Sequence, residues 1–178
     1  MSKEVISVLI GEEELDRRIR ELGEQISADF AGETVHVIGI LKGGAPFACE
    51  LAKRLTVPVI MDYLQVSSYG ASTSTSGDVR FMKDLDIAIE GKNVLIAEDI
   101  IDTGMTLAAV RDSLAGRGAK QIKVCALLDK PERRILKKIE ADYVGFSVPD
   151  KFVVGMGLDY DQKYRNLPYV GVLEFVDE

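Results

Sequence analysis

The sequence has 178 residues, of which 47% are hydrophobic, and a formal net charge of −7 at pH 7. This length suits one globular domain with a sizeable core. The sequence contains no run of 18 or more apolar residues, so it predicts no membrane span. The negative charge opposes non-specific binding to nucleic acid or to an anionic membrane surface, although it leaves room for a local cationic pocket.

The first residues and the cysteines bear on the compartment. The N-terminal stretch becomes acidic too soon for a secretory signal. Cys49 and Cys125 lie in apolar contexts without the spacing of metal ligands. They are therefore predicted to be buried free thiols of a cytoplasmic protein, where the reducing environment disfavours disulfides.

Hydrophobic periodicity predicts an alternation of strands and helices along most of the chain. Helical spacing is clearest where Leu15, Ile19, Leu22 and Ile26 recur at intervals of three and four residues. Apolar runs bounded by turn residues predict the strands. The predicted strands are 5–10, 35–41, 57–69, 94–97 and 122–128, and the predicted helices are 12–30, 46–55 and 107–114. This order favours βαβ units and an α/β fold with a central, mainly parallel sheet flanked by helices.

The segment from residue 67 to 77 interrupts this alternation. It is composed of small and polar residues and has almost no apolar anchor, so it can bury too little surface to offset the entropy of ordering it. Two interpretations remain open. The segment is either a solvated hairpin connection or a lid, over about 67–79, that becomes ordered when a ligand binds.

The segment from residue 94 to 107 joins an apolar strand to three carboxylates and a turn of small residues. Glu98 and Asp99 follow the apolar run, and Asp102 precedes a turn of glycine and hydroxyl residues. Ligands of an open parallel sheet bind beyond the carboxyl ends of its strands. A small-residue loop that enters a helix offers several N–H groups to one anion. The segment therefore predicts a site for a ligand that has both a phosphate and sugar hydroxyls.

A plain helix N-cap is the alternative interpretation of this segment. It accounts for Asp102 or Thr103, whose side chains can cap a helix. It accounts poorly for Glu98 and Asp99 at the end of a buried strand. Neither the GxxxxGK[ST] nor the GxGxxG spacing is present.

The loop from Glu98 to Thr106 resembles the phosphoribosyl-pyrophosphate (PRPP) loop of the type I phosphoribosyltransferases. Other segments, in the same order along nearly the whole chain, are similar to the hypoxanthine-guanine phosphoribosyltransferases. These are 41–44, 68–69, 129–130, 149–155, 158–160 and Arg165. The acidic loop marks only the wider superfamily, whereas the sequence PDKFVVG at 149–155 is more specific, since it builds the purine pocket in that family.

This resemblance implies the type I phosphoribosyltransferase fold, with a core over about 12–140 and a small hood formed chiefly by 143–178. It also implies transfer of the ribose 5-phosphate of PRPP to a 6-oxopurine base, with Mg²⁺ as cofactor. The transition state would be similar to an oxocarbenium ion. The family also implies a homodimer or homotetramer.

The resemblance further implies a role for individual residues. Asp102 would manage the proton on purine N7. The ribose-phosphate part of PRPP would be bound by Glu98, Asp99, Asp102, Thr103, Gly104, Met105 and Thr106. Pyrophosphate would be bound by Lys42, Gly43, Ser68, Tyr69 and Arg165, and in that family the Lys42–Gly43 peptide bond is often cis. The purine would be bound by Lys130, Phe152 and Val153, and Mg²⁺ by Glu98, Asp99 and Asp159.

Two residues stand apart from this scheme. Several relatives carry lysine where this chain has Met105, so the charge balance of the site depends more on Mg²⁺, Lys42 and Arg165. His36, the one histidine of the sequence, lies on a predicted strand away from the motifs. It is predicted to be structural, because it lacks the partners that acid–base or metal chemistry requires.

Three functions compete at this point. The first is 6-oxopurine salvage. The second is a regulator that has the same fold and binds PRPP or RNA, which loss of the general base or of the purine pocket, or a basic face, would favour. The third is a phosphoribosyltransferase for another base, which should lack Lys130 together with PDKFVVG. The presence of Asp102, Lys130 and Phe152 in an acidic chain favours the first.

Overall fold

The computed structural model of the protein describes residues 2–68, 79–136 and 138–177. The helices are α1 (Glu12–Asp29), α2 (Gly44–Ala52) and α3 (Met105–Ala115). The strands are β1 (Ser2–Ile10), β2 (Val35–Leu41), β3 (Val59–Ser68), β4 (Val79–Lys83), β5 (Asn93–Ile101), β6 (Gln121–Asp129), β7 (Tyr143–Ser147), β8 (Val153–Val154) and β9 (Val170–Asp177). The lid was predicted over about 67–79. Most of it, residues 69–78 including Tyr69, lies outside the described residues.

The large sheet confirms the predicted α/β fold. Its strand order is β4-β3-β2-β5-β6-β7, and every neighbouring pair is parallel except the antiparallel edge pair β3–β4. The central strands β2 and β5 are buried along most of their length. Their near-continuous apolar runs are typical of a parallel sheet that is covered on both faces.

The two faces of the large sheet carry different helices. On β5, Leu95 and Ala97 pack with α1 and α2, whereas Val94 and Ile96 pack with α3. This alternation follows from the two-residue period of a strand. The apolar positions predicted for the first helix are all buried against the sheet, which confirms the helical spacing read from the sequence.

A small sheet of β1, β9 and β8, all antiparallel, forms the hood together with the loop at 155–169. The terminal segments do supply this sheet. However, β7 does not belong to the hood, because it pairs in parallel with β6 at the edge of the large sheet. Tyr143 is buried on the side of that sheet that packs with α1 and α2, and Phe146 packs against the same cluster. The hood therefore begins after Ser147 and not at Tyr143.

The two cysteines differ in exposure, contrary to the prediction. Cys125 is buried in the core and Cys49 is exposed. Cys49 lies on the outer side of α2, where its Sγ is 3.3 Å from the hydroxyl of Tyr63. The apolar context of Cys49 belongs to its helix neighbours Phe47, Ala48 and Leu51, which face the sheet instead.

His36 lies on β2 and is buried, which is consistent with the structural role predicted for it. Burial lowers its pKa, and the charge of Lys92 lowers it further, while Asp62 acts in the opposite direction. Among the helices of the described residues, none has both the length and the hydropathy needed to cross a bilayer.

Candidate active site

The predicted site residues gather where the parallel strands end. Lys42 follows β2, Glu98 and Asp99 lie near the end of β5, and Lys130 follows β6. Helix α2 links β2 to β3 on one side of the sheet, and α3 links β5 to β6 on the other. The crossing direction thus reverses between β2 and β5. Such a reversal opens a crevice at the carboxyl edge of the sheet, where ligands bind in open α/β folds.

Gly43 and Asp99 face each other across this crevice. A β-carbon added at Gly43 would stand 1.7 Å from Asp99 Oδ2, and one added at Gly44 would stand 2.8 Å from the carbonyl oxygen of Ala97. Only residues without a side chain let the start of α2 approach β5 this closely. The peptide groups at the start of α2 are therefore held beside the acidic pair.

Glu98 and Asp99 place two carboxyl groups next to each other at this edge of the sheet. Burial raises the pKa of Glu98 well above its ordinary value, and the negative charge of Asp99 adds to the effect. Burial also raises the pKa of Asp99, although hydrogen bonds from Glu98 and from the Ile100 N–H oppose it. Two carboxyl groups that are costly to ionise together are suited to hydroxyl groups or a cation as partners.

The loop after β5 leads into α3 through a left-handed glycine. Gly104 has φ of 84° and precedes Met105, the first residue of α3. Thr103 Oγ1 accepts a hydrogen bond of 3.4 Å from the Met105 N–H. A cavity of about 130 Å³ opens here, and it is lined by Glu98, Ile100, Ile101, Asp102, Thr103, Gly104, Thr106 and Leu107. The predicted phosphate loop thus lines a concave site at a helix N-terminus, with Met105 mainly exposed beside it.

A cationic cluster meets the acidic pair from the hood side. Arg165 contacts Asp159 at 2.8 Å and donates a hydrogen bond of 2.7 Å to the carbonyl of Gly157. Gln162 Oε1 accepts hydrogen bonds from Lys42 Nζ at 3.1 Å and from Arg165 Nη2 at 3.3 Å. The structure thus brings Lys42 together with Asp159 and Arg165, which lie far from it in the sequence. Arg165 is also close enough to lower the pKa of Asp99.

Gly157 completes this approach between hood and core. Its φ is 99°, and a β-carbon there would stand 2.0 Å from the carbonyl oxygen of Gly43. The non-proline cis peptide bond lies at Leu41–Lys42. This is one bond before Lys42–Gly43, the peptide bond that is often cis in the family that the chain resembles. Ser68 ends β3, and no position is described for its side chain.

Three residues are predicted to bind the purine. Lys130 directly follows β6, and Phe152 and Val153 lie at the start of β8. Lys130 is 7% exposed, and its Nζ donates a hydrogen bond of 2.5 Å to the Lys151 carbonyl. Phe152 is 52% exposed and packs edge-on against Tyr160, with 5.7 Å between ring centroids. Val153 is buried and pairs with Val172 in the small sheet. An oriented ammonium group and an accessible aromatic face suit a planar base that has a carbonyl oxygen.

Asp102 is linked to this purine segment through Arg133. Arg133 Nε lies 2.7 Å from Asp102 Oδ1, and Arg133 Nη1 lies 3.4 Å from Asp150 Oδ1. The Asp102 carboxylate is the main reason that the pKa of Arg133 is raised, and Asp150 is the second. Arg133 thus connects the phosphate loop to the segment that carries Phe152.

Arg134 fixes the backbone of the same loop from behind. Its Nε donates to the Asp102 carbonyl at 3.2 Å, and its other nitrogens donate to the Asp129 carboxylate and to the Ile139 carbonyl. The Ile135 N–H donates to the Thr103 carbonyl at 3.1 Å. These contacts hold the loop against the end of β6.

Several of these residues carried no sequence signal for a role in the site. Gln162, Arg133 and Arg134 lie between the recognisable motifs. Their contacts are Gln162–Lys42, Arg134–Asp102 and Arg133–Asp102, which join residues 31 to 120 positions apart in the chain. The residues Pro131-Glu132-Arg133-Arg134 belong to none of the motifs described above. Contacts of this kind depend on the tertiary fold.

Metal-binding capacity rests on few protein oxygens. Within the described ranges, no group of three or more His, Cys, Asp or Glu side chains is arranged to hold a metal ion. Mg²⁺ commonly takes one or two carboxylates and completes its shell with water and phosphate oxygens. The Glu98–Asp99 pair and Asp159 therefore fit a magnesium ion that arrives with a diphosphate ligand.

Comparison with protein families gives one match over most of the chain. The family described as "Phosphoribosyl transferase domain" matches residues 11–161. The hypoxanthine-guanine phosphoribosyltransferase of Bacillus subtilis strain 168 is 48% identical over 174 residues, which cover 98% of this chain and 96% of that protein. The bifunctional protein TilS/HprT of Listeria innocua is 51% identical over 98% of this chain, which spans only 27% of that longer protein.

A solved structure is similar in fold as well as in sequence. The crystal structure of a hypoxanthine-guanine phosphoribosyltransferase from Bacillus anthracis, with a HEPES molecule in its active site, has a TM-score of 0.89 and 46% identity. The match covers 93% of this chain and 97% of that one.

Proposed function

The chain belongs to the phosphoribosyl transferase domain family, and we propose that it transfers the 5-phosphoribosyl group of PRPP to N9 of hypoxanthine or guanine. The products are inosine or guanosine monophosphate and pyrophosphate. One observation carries this proposal: a phosphate-type loop with an acidic pair ends beside Lys130 and Phe152, groups suited to a 6-oxopurine.

Different residues would bind the 5-phosphate, the ribose and the pyrophosphate of PRPP. Backbone N–H groups and hydroxyls from Asp102 to Thr106 would bind the 5-phosphate, as anions bind at helix N-termini. Glu98 and Asp99 would accept hydrogen bonds from the ribose hydroxyls. Lys42, the Gly43 peptide and Arg165 would bind the pyrophosphate, with Ser68 and Tyr69 proposed to close over it.

The purine would lie between Phe152 and the end of β5. Lys130 would donate to the 6-oxygen, the ring of Phe152 would stack on the base, and the main chain of Val153 would contact its edge. A base that carries its proton on N7 would attack C1 of the ribose through N9, while Asp102 takes the N7 proton. The bond from C1 to the pyrophosphate oxygen breaks, and its electron pair leaves with pyrophosphate.

Mg²⁺ is proposed as the cofactor, held by Glu98, Asp99 or Asp159 together with oxygens of PRPP. Bound there, it would neutralise charge on the diphosphate leaving group. The protein residues would position the reactants and stabilise the oxocarbenium-like transition state, which is where most of the rate enhancement is expected.

Two other functions predict different features. A regulator of the same fold that binds PRPP or RNA has no need of Asp102, Lys130 and Phe152 in one place. An enzyme for adenine or a pyrimidine has no 6-oxygen, or a differently placed one, for Lys130 to bind. The grouping of these three side chains therefore favours 6-oxopurine transfer.

The test is a product assay with purified protein, PRPP and MgCl₂ against hypoxanthine, guanine, xanthine, adenine and uracil. We expect inosine or guanosine monophosphate and an equal amount of pyrophosphate, with little turnover of adenine or uracil. Binding of PRPP without any nucleotide formed would support the regulator instead. Omission of MgCl₂ with added chelator should abolish turnover.

Assembly and location are part of the proposal. Exposed apolar side chains on the small sheet, such as Val8 and Phe175, offer a surface for a homodimer or homotetramer. Sedimentation at micromolar concentration decides between these states and a monomer. Free Cys49 and Cys125 are consistent with a cytoplasmic protein.

A further inference from the structure

Arg133 makes contacts that the proposed roles of the site residues do not use. It lies in the short 3-10 turn at Pro131–Arg133, directly after Lys130. Its side chain is about half exposed, yet its guanidinium group contacts the carboxylates of both Asp102 and Asp150. An exposed arginine normally gains little from such contacts. Its placement between the proposed base and the purine segment therefore points to a functional reason.

The two oxygens of Asp102 differ sharply. Oδ1 is buried and lies 2.7 Å from Arg133 Nε, and no hydrogen bond is directed at it within the described residues. The Asp102 side chain as a whole is 41% exposed. Of the two carboxylate oxygens, only Oδ2 can therefore meet a ligand. The contact with Arg133 fixes which oxygen this is.

The second contact connects this orientation to the purine segment. Arg133 Nη1 lies 3.4 Å from Asp150 Oδ1, and Lys130 Nζ lies 3.8 Å from the same oxygen. Asp150 is two residues before Phe152 in the chain. Lys130 also donates to the neighbouring Lys151 carbonyl. Arg133 and Lys130 therefore hold the same short segment from two points.

We propose that Arg133 is a positioning residue for the phosphoribosyl transfer. Its contact with Asp102 Oδ1 orients the carboxylate so that Oδ2 faces purine N7. Its contact with Asp150 keeps Oδ2 at a fixed position relative to the segment that carries Phe152. This inference rests on the proposed function, since it concerns the residue that takes the N7 proton. Arginine suits the task because its planar guanidinium group can contact two carboxylates at once, whereas a lysine ammonium group is a single point of charge.

The backbone around Arg133 is already fixed by other contacts. The Lys130 N–H donates to the Ile101 carbonyl at 2.9 Å, and the Ile135 N–H donates to the Thr103 carbonyl at 3.1 Å. The turn would therefore keep its place when the Arg133 side chain is changed. A loss of activity in such a variant would then come from the side chain and not from a displaced loop.

The experiment measures kcat and KM for Arg133→Gln and Arg133→Lys, each alone and combined with Asp102→Asn. Arg133→Gln should lower kcat by about tenfold or more, which corresponds to an interaction of ordinary strength. Arg133→Lys should lose less, and KM for PRPP should change by less than about twofold in both. In the Asp102→Asn background neither change should lower kcat further, because Arg133 acts through that carboxylate.

Arg17→Gln is the matched control, since it removes an exposed arginine of α1 outside the site. Its kcat should equal that of the unaltered protein. Thermal unfolding midpoints establish that each variant is folded. If Arg133→Gln does not fold, the comparison with Asp102→Asn is made with Arg133→Lys alone.

Three results would overturn the inference. These are an unchanged kcat in Arg133→Gln, a raised KM for PRPP with normal kcat, and losses that multiply in the double variants. Failure of the proposed function is distinct, because the unaltered protein would then form no inosine or guanosine monophosphate at all.

Discussion

Gly43 lies against Asp99 so closely that a β-carbon at position 43 would stand 1.7 Å from the Asp99 Oδ2 atom. This contact joins the start of α2 to the end of β5 across the crevice. It leaves no room for any side chain at position 43. The contact also places the Gly43 peptide, proposed to bind pyrophosphate, beside the carboxylate proposed to bind ribose.

Gly43→Ala should therefore damage PRPP binding more than it damages stability. The new methyl group must push Asp99 away from the crevice, and the pyrophosphate donors would shift with it. We expect the Kd for PRPP, measured by calorimetry with Mg²⁺, to rise by about tenfold or more, which corresponds to ~1.4 kcal/mol. Gly11→Ala is the control, because a β-carbon at Gly11 meets no atom within 4 Å. Equal affinities in the two variants would contradict the assignment of Gly43.

Asp102→Asn tests the proposed base. Asparagine keeps the size of the side chain but cannot take the N7 proton, so kcat should fall by about 10²–10⁴, the usual range for general acid–base catalysis. PRPP affinity should change little, because the backbone of the loop supplies the phosphate donors. Asparagine also caps helices as well as aspartate does. Near-normal turnover would contradict the assignment of Asp102 as the base, and Asp112→Asn in α3 controls for the loss of one charge.

Lys130→Met tests the proposed contact with the 6-oxygen. The change removes the ammonium group and leaves the Lys151 carbonyl without its hydrogen bond from Nζ. Hydrogen bonds to charged groups contribute about 1.5–3 kcal/mol, so KM for hypoxanthine should rise by roughly 10- to 100-fold. The Kd for PRPP should stay the same, and Lys53→Met, on the exposed end of α2, should behave like the unaltered protein. A selective loss of PRPP affinity would mean that Lys130 binds PRPP and not the purine.

His36 should titrate below the ordinary histidine pKa of about 6.5. Burial is the main cause of the lowering, and the neutral form is favoured in the folded state. Because the sequence has one histidine, a tag-free sample gives a single imidazole signal to follow by NMR against pH. A midpoint at or above 6.5 would contradict the assignment.

The same shift makes a signed prediction for stability. The contribution of His36 is fully present above the unfolded pKa of about 6.5, and it is lost as pH falls below that value toward the folded pKa. Urea unfolding at pH 7.5 and pH 5.5 should thus show a larger decrease in unfolding free energy for the unaltered protein than for His36→Gln. Identical decreases in both proteins would mean that His36 does not couple to folding.

The two thiols should react at very different rates. Cys49 is exposed, whereas Cys125 is buried and its pKa is raised by that burial. A thiol reagent added to the native protein should label Cys49 quickly and Cys125 only on unfolding. Peptide mass analysis identifies the labelled site, and Cys49→Ser should remove the fast phase.

The sequence predicted best what depends on local pattern. The apolar spacing of α1 and the buried run of β2 were predicted almost to the residue, because each pattern reports directly which face of one element is buried. The loop proposed to bind phosphate was also recognisable, since its glycine and hydroxyl residues stand at consecutive positions. Residue order alone was enough to place Glu98 and Asp99 near the carboxyl end of β5, although the strand continues to Ile101 and does not stop at residue 97.

Long-range contacts were beyond these patterns. The strand at 143–147 looked the same whether it joined the hood or the edge of the large sheet, and only its pairing with β6 decides this. Cys49 seemed buried because its neighbours are apolar, although α2 turns it outward. The pairing of Asp102 with Arg133 joins two polar segments, each of which looks like an ordinary turn by itself.

The reversal of the crossing direction of the helical connections between β2 and β5 has a consequence for the folded state as a whole. The site draws residues from two βαβ units, and a substrate bound in the crevice would tie these units to each other. Ligands that bind only the folded state stabilise it by mass action, about 2.7 kcal/mol at a hundredfold excess over Kd. Amide hydrogen exchange should thus slow along both β2 and β5 when PRPP is bound, so that the two halves of the sheet open together instead of separately.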